Sequence, residues 1–328
     1  MGNHATHHAR PHARRAAPAG LSLLAVLVAY GAVTTPPRDA GEPGQAGSRP
    51  AGDPAPEGDP STEGRVVLIT GSTSGLGREV ARRLARSGDH VIVHGRDVDR
   101  GTALVEEIER ETDGSARFYR ADFASLDQIR EFSEAILRDY DRLDVLVNNA
   151  GIWLESADGR RVSQDGHELH FQVNYLAGYL LTDMLLPLLR KSAPSRIVNV
   201  SSGAQRPIDF GDVMLEERYD PGRGYAQSKL AQVMFTFALA EELEGTGVTV
   251  NALHPATMMN TNMVLSRGAR PRSDVEEGVE AVLHLVDVPA VGSGGYFDGM
   301  RPARANGQAY DEAARDRLMR LSQELTAG

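Results

Sequence analysis

A tyrosine and a lysine lie four residues apart in the segment YAQSK, at Tyr225 and Lys229. On a helix this i, i+4 spacing puts the phenol and the ammonium on one face. A free tyrosine has a pKa of about 10, and a neighbouring positive charge favours the phenolate and lowers that value. The pair therefore predicts a general acid/base that works near neutral pH. Taken alone, the same spacing also fits an exposed tyrosine and lysine on an amphipathic helix.

Two hydroxyls and an amide precede this pair in the chain. Ser201 and Ser202 end the apolar run RIVNVSS, a predicted strand, and a hydroxyl at a strand end can polarise a substrate oxygen. Asn174 lies in HFQVNYLAGYLLT, within a helix predicted over 166–191. A helical asparagine more often packs in the core or faces solvent. Asn174 is therefore a candidate site residue only because the other candidate groups are also present.

A glycine-rich turn, TGSTSGLG, covers residues 70–77 between a predicted strand and a predicted helix. Glycines in such a turn let the backbone approach a pyrophosphate and let the helix start close to the sheet. The helix N-terminus adds backbone N–H donors and the positive end of a dipole. Because the turn follows the first strand and opens the first helix, it indicates a dinucleotide site rather than a simple glycine-rich loop.

The residues at the end of the second predicted strand indicate which nicotinamide cofactor the site prefers. An NAD site usually has an acid here, which holds the ribose 2′-hydroxyl. In this chain His94 and Gly95 end the strand and Arg96 follows, and a guanidinium suits a 2′-phosphate. Asp97 comes later, and we predict that it caps the next helix. We therefore expect NADP(H), with NAD(H) as the alternative.

Strand-like and helix-like segments alternate from Arg65 onward, and these elements must position the candidate groups. The strands are short continuous apolar runs, as expected when helices cover both faces of a parallel sheet. The pattern predicts an α/β fold, a Rossmann-type doubly wound parallel sheet flanked by helices, with ligands at the carboxyl ends of the strands. The predicted strands include RVVLIT, HVIVH, ARFYRAD, DVLVNNAG, RIVNVSS, VTVNALHP and, as a last short strand, GGYFDG.

The composition divides the chain into three parts. Residues 65–328 form the predicted catalytic domain, a single domain of ordinary size. Residues 35–64 are rich in proline and glycine and contain no aliphatic residue beyond alanine, so we predict a flexible linker. Residues 1–34 combine a basic start with the apolar run LSLLAVLVAYGAV, which fits a secretory signal, a membrane anchor or a disordered extension.

Charge and composition exclude several classes of protein. The net charge is −10, so a nucleic-acid partner is not expected, because phosphate binding needs a basic face. The chain has no cysteine, which excludes disulfides, thiolate nucleophiles and cysteine-ligated zinc. Histidines cluster before residue 13, but an unstructured tail is their simpler interpretation, and we predict no metal site.

These motifs resemble those of the short-chain dehydrogenase/reductase family, over the chain from about Arg65 onward. TGSTSGLG matches the family's TGxxxGxG turn, NNAG at 148–151 matches its NNAG motif, and YAQSK matches its YxxxK motif. The resemblance implies that Tyr225 is the general acid/base and that Lys229 lowers its pKa. It implies that Ser202, rather than Ser201, polarises the substrate oxygen, and that Asn174 holds a water in a proton relay.

The same resemblance implies the cofactor contacts, with an acid just past the third strand at the adenine. The implied contact residues are Gly71, Ser72, Thr73, Ser74, Gly75, Leu76, Gly77, Arg96, Asp122, Phe123, Asn149, Ala150, Gly151, Tyr225, Lys229, Pro255 and Thr257. Asp122 is the residue that matches the adenine acid.

The loop after the sixth predicted strand departs from the family pattern. The family usually has Pro-Gly here, and Ala256 takes the place of the glycine, which removes backbone freedom. We still expect the loop to pass over the nicotinamide, with Thr257 or Thr261 near its amide. The apolar residues of this region fit an apolar substrate pocket and, equally, ordinary core packing. They are Met258, Met259, Met263 and Leu265.

The long interval between Ser202 and Tyr225, with HFQVNYL and GRDVDRG, resembles the retinol-dehydrogenase-like or WW-domain-oxidoreductase-like branch of the family. The resemblance implies an NADP(H)-dependent oxidoreductase that acts on a small apolar carbonyl or alcohol. One alternative is a nucleotide-binding regulatory protein with the same fold and little turnover. A second is a sugar epimerase or dehydratase, for which about 75 residues after His254 leave too little chain for a substrate domain.

Partners and location follow from the same features. In this family the helices predicted at 166–191 and 225–244 often build a homodimer or homotetramer, so we expect an oligomer of that kind. An enzyme that freely exchanges NADPH needs a reduced cofactor pool, and we therefore predict a cytoplasmic protein. The alternatives are membrane association or export through residues 1–34.

Overall fold

The computed structural model describes residues 1–2, 64–155, 159–266, 268–288 and 291–327. The leader-like segment apart from residues 1–2, the linker up to residue 63 and the N-terminal histidine cluster, all interpreted above, therefore lie outside the described residues. In the described part, none of the helices has the length and apolar character needed to cross a bilayer. The same residues contain no cluster of His, Asp or Glu side chains arranged to hold a metal ion.

Eight strands form one sheet within the described residues. In chain order they are β1 (Val66–Ile69), β2 (His90–Gly95), β3 (Ser115–Arg120), β4 (Val145–Asn148), β5 (Ser195–Val200), β6 (Val248–His254), β7 (Gly295–Asp298) and β8 (Arg301–Pro302). Their spatial order is β3-β2-β1-β4-β5-β6-β7-β8, and β8 alone runs antiparallel. The order reverses between β1 and β4, and a ligand crevice is expected at the carboxyl ends of the strands at such a switch point.

Helices connect the strands and cover both faces of the sheet. They are α1 (Gly75–Arg86), α2 (Val98–Glu111), α3 (Leu126–Asp139), α4 (Ala177–Lys191), α5 (Pro221–Glu242), α6 (Asn262–Leu265), α7 (Val275–Asp287) and α8 (Glu312–Thr326). Apolar residues of α1, α2 and α7 form one core with the sheet, and those of α3, α4, α5 and α8 form the other. The predicted Rossmann-type, doubly wound α/β fold is confirmed.

The predicted helix over 166–191 begins later than expected and is not uniform. Residues 166–168 lie outside the helix because Glu168 pairs with Val162 in an isolated antiparallel bridge. A wide π-helical turn, Phe171–Leu176, then leads into α4. Such turns are frequent at functional sites. The candidate Asn174 lies within this turn, fully enclosed by the fold.

The C-terminal helix α8 was not predicted, and it packs against α5 and the π-helical turn before α4. Leu318 is completely buried in the core, and the Tyr175 hydroxyl lies 2.6 Å from Ser322 Oγ. Arg315 of α8 forms an ion pair of 2.7 Å with Glu241 of α5. Part of the surface of the two long segments from which we expected an oligomer, on α5 and on the π-helical turn before α4, is therefore covered by α8.

Candidate active site

The glycine-rich turn links β1 to α1 at the carboxyl edge of the sheet. Gly71 has φ +64°, and a Cβ there would stand 2.9 Å from Ala150 Cα. A Cβ on Gly77 would stand 2.5 Å from Asn149 Nδ2, so neither position accepts a side chain without movement. The Ser74 side chain makes no capping hydrogen bond to α1. A close backbone approach and a helix N-terminus without a side-chain cap fit a bound pyrophosphate.

Side chains beneath the turn hold it in place. Thr70 Oγ1 accepts hydrogen bonds from Asn149 N–H at 3.0 Å and from Ala150 N–H at 2.9 Å. Asn149 Nδ2 donates to Thr70 O at 2.8 Å. Ser72 Oγ donates to Ile69 O at 2.8 Å and accepts from His94 N–H at 3.0 Å. The structure thus brings the NNAG segment and the turn together, with the side chains of Ser72 and Asn149 directed into the protein framework.

His94 has a position at this site that the sequence interpretation missed. Its Nδ1 lies 3.0 Å from Gly71 N–H, which can only donate, and its Nε2 lies 3.2 Å from Ala121 O, which can only accept. The ring is therefore neutral, with its proton on Nε2. Burial lowers the pKa of His94 to about 4, consistent with that state. A histidine directly after the apolar residues Val91–Val93, at the carboxyl end of the strand, was the available signal.

The adenosine end of the site lies beyond β2. The Arg96 side chain is 66% exposed, and its Nη1 lies 3.9 Å from Asp122 Oδ1. A Cβ on Gly95 would stand 2.6 Å from Thr73 Cγ2, so the Thr73 side chain lies against the end of the strand. Asp97 Oδ1 accepts from Arg100 N–H at 3.1 Å, which confirms the predicted helix cap.

Phe123 differs from the other residues expected at this end. Its side chain is only 4% exposed, and its ring stacks on His94 with centroids 4.2 Å apart. The aromatic ring therefore supports His94 from within the core, and only the backbone of Phe123 remains for a cofactor contact.

Tyr225 and Lys229 lie on the first turns of α5, on the same face. Lys229 Nζ is 5.8 Å from the centre of the Tyr225 ring. A Cβ on Gly151 would stand 3.5 Å from Lys229 Nζ and 3.4 Å from Asn174 Oδ1. The segment after β4, the π-helical turn and α5 therefore converge on one point, as the motifs predicted.

Lys229 is buried in this site and hydrogen-bonded to the framework. Its Nζ donates to Val200 O and to Gln232 Oε1, each at 3.0 Å. Burial lowers the pKa of Lys229 to about 7. Removal of an ammonium from water disfavours its charged form, and the two neutral acceptors compensate only in part.

The structure separates the two candidate serines. Ser201 Oγ donates to Lys229 O at 2.7 Å, so its hydroxyl hydrogen is used to join β5 to α5. Ser202 Oγ accepts from Ala204 N–H at 3.1 Å, an arrangement that leaves its O–H compatible with donation to a ligand. The Tyr296 hydroxyl donates to Ser202 O at 3.0 Å and holds this residue. Tyr296 was not identified from the sequence.

The loop after β6 crosses back over the glycine-rich turn. A Cβ on Gly75 would stand 3.4 Å from Thr261 Cγ2, which brings Thr261 to the turn. Thr257 is exposed, and its Oγ1 lies 3.0 Å from His254 Nε2. Pro255 is buried, and a Cβ on Gly278 of α7 would stand 3.5 Å from its ring. A cavity of about 480 Å³ is lined by residues of this loop, of the glycine-rich turn and of α2.

The apolar residues of this loop have different environments. Met259 is partly buried against the core beneath α7, with its sulfur directly at Gly278, so the core-packing alternative holds for Met259. Met263 and Leu265, on α6, are 36% and 50% exposed. Met258 has φ +51°, a left-handed conformation that is uncommon for a residue other than glycine.

Fold and site together define a nicotinamide-dependent oxidoreductase of the Rossmann type. A family model described as short chain dehydrogenase matches residues 65–271, and the chain belongs to this family. It is similar to retinol dehydrogenase 13 of Mus musculus, with 36% identity over 291 residues, covering 80% of this chain and 84% of that protein. Retinol dehydrogenase 12 of Homo sapiens is 37% identical over 275 residues, covering 80% and 86%. The protein is therefore a retinol-dehydrogenase-like member of the family.

Two solved structures are also similar to this chain. The Pseudomonas aeruginosa RhlG/NADP active-site complex has a TM-score of 0.60 and 26% identity, covering 73% of this chain and 96% of that chain. A putative short chain dehydrogenase from Escherichia coli CFT073, complexed with NADPH, has a TM-score of 0.59 and 27% identity, covering 72% and 96%.

Proposed function

We propose that this protein is an NADP(H)-dependent oxidoreductase that interconverts a small apolar carbonyl compound and its alcohol. The observation that carries the proposal is the convergence of Tyr225, Lys229 and Gly151 at the carboxyl edge of the sheet. It sets a phenol and an ammonium beside the segment that, with the glycine-rich turn, forms the dinucleotide site.

Each catalytic residue has a role that its contacts support. Tyr225 donates its hydroxyl proton to the substrate oxygen in reduction and removes that proton in oxidation. Charged Lys229 favours the phenolate form of Tyr225. Ser202 donates a hydrogen bond to the substrate oxygen. Asn174 holds the segment after β4 through Ile152 and supports a relay from Lys229 to solvent.

The glycine-rich turn and the N-terminus of α1 fit the pyrophosphate of the cofactor, and Asp122 fits its adenine end. Bound NADPH supplies the hydride for reduction. Arg96, largely exposed at the end of β2, is the residue that we expect to contact the 2′-phosphate. The absence of an acid at the end of β2, where His94 and Gly95 stand, supports NADP(H) over NAD(H).

The substrate is proposed from the surroundings of Tyr225 and from the relatives. The centroids of the Trp153 and Tyr225 rings are 4.4 Å apart, so the indole presents an apolar surface next to the acid/base. Exposed Met263 and Leu265 lie on α6, directly after the loop that reaches the glycine-rich turn through Thr261. These features, and relatives named retinol dehydrogenases, favour apolar aldehydes, ketones and alcohols.

Turnover by the purified full-length chain tests this proposal. NADPH and NADH oxidation would be measured against a panel that includes retinaldehyde, aliphatic and aromatic aldehydes, ketones and quinones. We expect NADPH-preferring turnover that the variant Tyr225→Phe loses by roughly a hundredfold or more. Wild-type turnover in Tyr225→Phe would refute the assignment of Tyr225. Tight nucleotide binding without turnover across the panel would favour a nucleotide-binding regulator.

A further inference from the structure

A buried acid–imidazole pair, Glu168 and His170, lies beside Tyr225 and has no part in the scheme above. Both side chains are 0% exposed, and His170 Nδ1 lies 2.8 Å from Glu168 Oε1. Glu168 Oε2 accepts a hydrogen bond of 2.8 Å from Phe171 N–H, at the start of the helix that continues into α4. A carboxylate at a helix N-terminus with two donors is well stabilised despite its burial.

The hydrogen bonds of His170 determine its tautomer. Leu154 N–H can only donate, and it lies 3.0 Å from His170 Nε2, which must therefore accept. The ring proton is then on Nδ1 and is donated to Glu168. Protonation of Nε2 would remove the bond to Leu154. The pair thus holds a neutral imidazole in one orientation.

The segment after β4 is attached at two consecutive points. Asn174 Oδ1 accepts from Ile152 N–H at 2.7 Å, and Asn174 Nδ2 donates to Ile152 O at 3.2 Å. Two residues later, Leu154 N–H is held by His170. Trp153 lies between these two attachments, so its backbone has little freedom to move.

Trp153 and the pair enclose the Tyr225 ring from two sides. The centroids of the Trp153 and Tyr225 rings are 4.4 Å apart, and those of His170 and Tyr225 are 6.3 Å apart with an interplanar angle of 82°. Gly224 packs directly on the pair, since a Cβ there would stand 2.9 Å from His170 Nδ1. The backbone before Tyr225 and the ring of Tyr225 are therefore both placed by this cluster.

We propose that Glu168 and His170 are a positioning pair for Tyr225. They hold Trp153 against the phenol ring and thereby keep the Tyr225 hydroxyl directed at the reacting oxygen. The inference rests on the proposed function, because it assigns the pair a role through the proposed acid/base. Catalytic groups need support of this kind because small displacements are costly to the reaction.

The variant His170→Asn tests the pair selectively. The asparagine amide takes the place of Nδ1 and can still donate to Glu168, so the carboxylate keeps a partner, but the acceptor for Leu154 N–H is lost. Trp153 is the only tryptophan in the sequence, so its emission reports on this cluster alone. The matched control is His90→Asn, because His90 is also a buried histidine, bonded to Ser115 and Tyr140 at the opposite end of β2.

We expect His170→Asn to lower kcat roughly 10- to 100-fold while the KM for NADPH stays within about twofold, because only the orientation of the acid/base changes. Its Trp153 emission should shift to longer wavelength and become more accessible to acrylamide. His90→Asn should lower thermal stability and leave kcat and emission unchanged. Wild-type kcat and emission in folded His170→Asn would overturn the proposal.

A second variant keeps the proposal testable where His170→Asn does not fold. Trp153→Phe leaves the buried pair intact and removes the indole that contacts Tyr225, and we expect it to lower kcat roughly tenfold at unchanged KM for NADPH. Unchanged kcat in Trp153→Phe would refute the positioning role. Full turnover in Tyr225→Phe would instead refute the proposed function, so the two failures are distinguishable.

Discussion

The buried charge of Lys229 should make the cofactor-free protein more stable at alkaline pH. Burial lowers the pKa of Lys229 from 10.5 to about 7 in the folded state. Between these two values the unfolded chain binds more protons than the folded chain, so this contribution to stability rises with pH. Burial of Lys229 lowers the free energy of unfolding by about 4 kcal/mol at pH 7, and about 2 kcal/mol of this loss is recovered by pH 9.

Urea unfolding of the wild type and of Lys229→Met at pH 7 and pH 9 measures this contribution. Loss of the hydrogen bonds from Lys229 Nζ to Val200 O and Gln232 Oε1 affects the variant equally at both pH values. The difference in unfolding free energy between the two proteins should therefore move by about 2 kcal/mol in favour of the wild type between pH 7 and pH 9. Groups that titrate alike in both proteins cancel.

The chain has only one other lysine, which serves as a matched control. Lys191 is 65% exposed and pairs loosely with Asp141 at 3.6 Å, so Lys191→Met should show no such pH-dependent difference. If the difference for Lys229→Met were independent of pH, or moved in the opposite direction, the reasoning from burial would be refuted. Lys229→Met should also lose most turnover, because the phenolate of Tyr225 loses its neighbouring cation.

Four other expectations can be checked directly. Arg96→Ala should raise the KM for NADPH roughly tenfold or more and leave that for NADH nearly unchanged, and equal effects on both would contradict the 2′-phosphate role. His94→Phe should raise the KM for either nucleotide with kcat nearly unchanged, because Gly71 N–H loses its acceptor. Steady-state kinetics measures both constants, and an unchanged KM would contradict this role of His94. Leu318→Asp on α8 should uncover apolar surface of α5, and light scattering should then show self-association. An unchanged monodisperse species would mean that α8 is not needed to cover this surface. N-terminal sequencing of protein from fractionated cells should show an intact cytoplasmic chain, and a mature N-terminus near Ala32 would instead indicate export.

The sequence by itself predicted the sheet and most of its connecting helices, and it identified most of the residues that we assign to the candidate site. These features depend on residues that are close in the sequence. They are the continuous apolar runs of the strands, the glycines at 71, 75 and 77 in one turn, and the spacing of Tyr225 and Lys229 on one helix. Such local requirements leave a pattern in the sequence. The strands β1 to β7 and the Asp97 helix cap were therefore predicted correctly, whereas the two-residue strand β8 was not predicted. The helix over 166–191 was misplaced only where a bridge at Glu168 competed with helical hydrogen bonding.

Only the tertiary structure decided which polar side chains face the site and which hold the framework. The family resemblance selects Ser202 over Ser201, but only the structure shows the physical reason: Ser201 Oγ donates its hydrogen bond to the carbonyl of Lys229, on another element. His94 gains its role from Gly71 and Ala121, and His170 from Leu154, all distant along the chain. Hydrogen bonds and burial of this kind depend on contacts between elements that are distant in the sequence, and composition and periodicity do not predict those contacts.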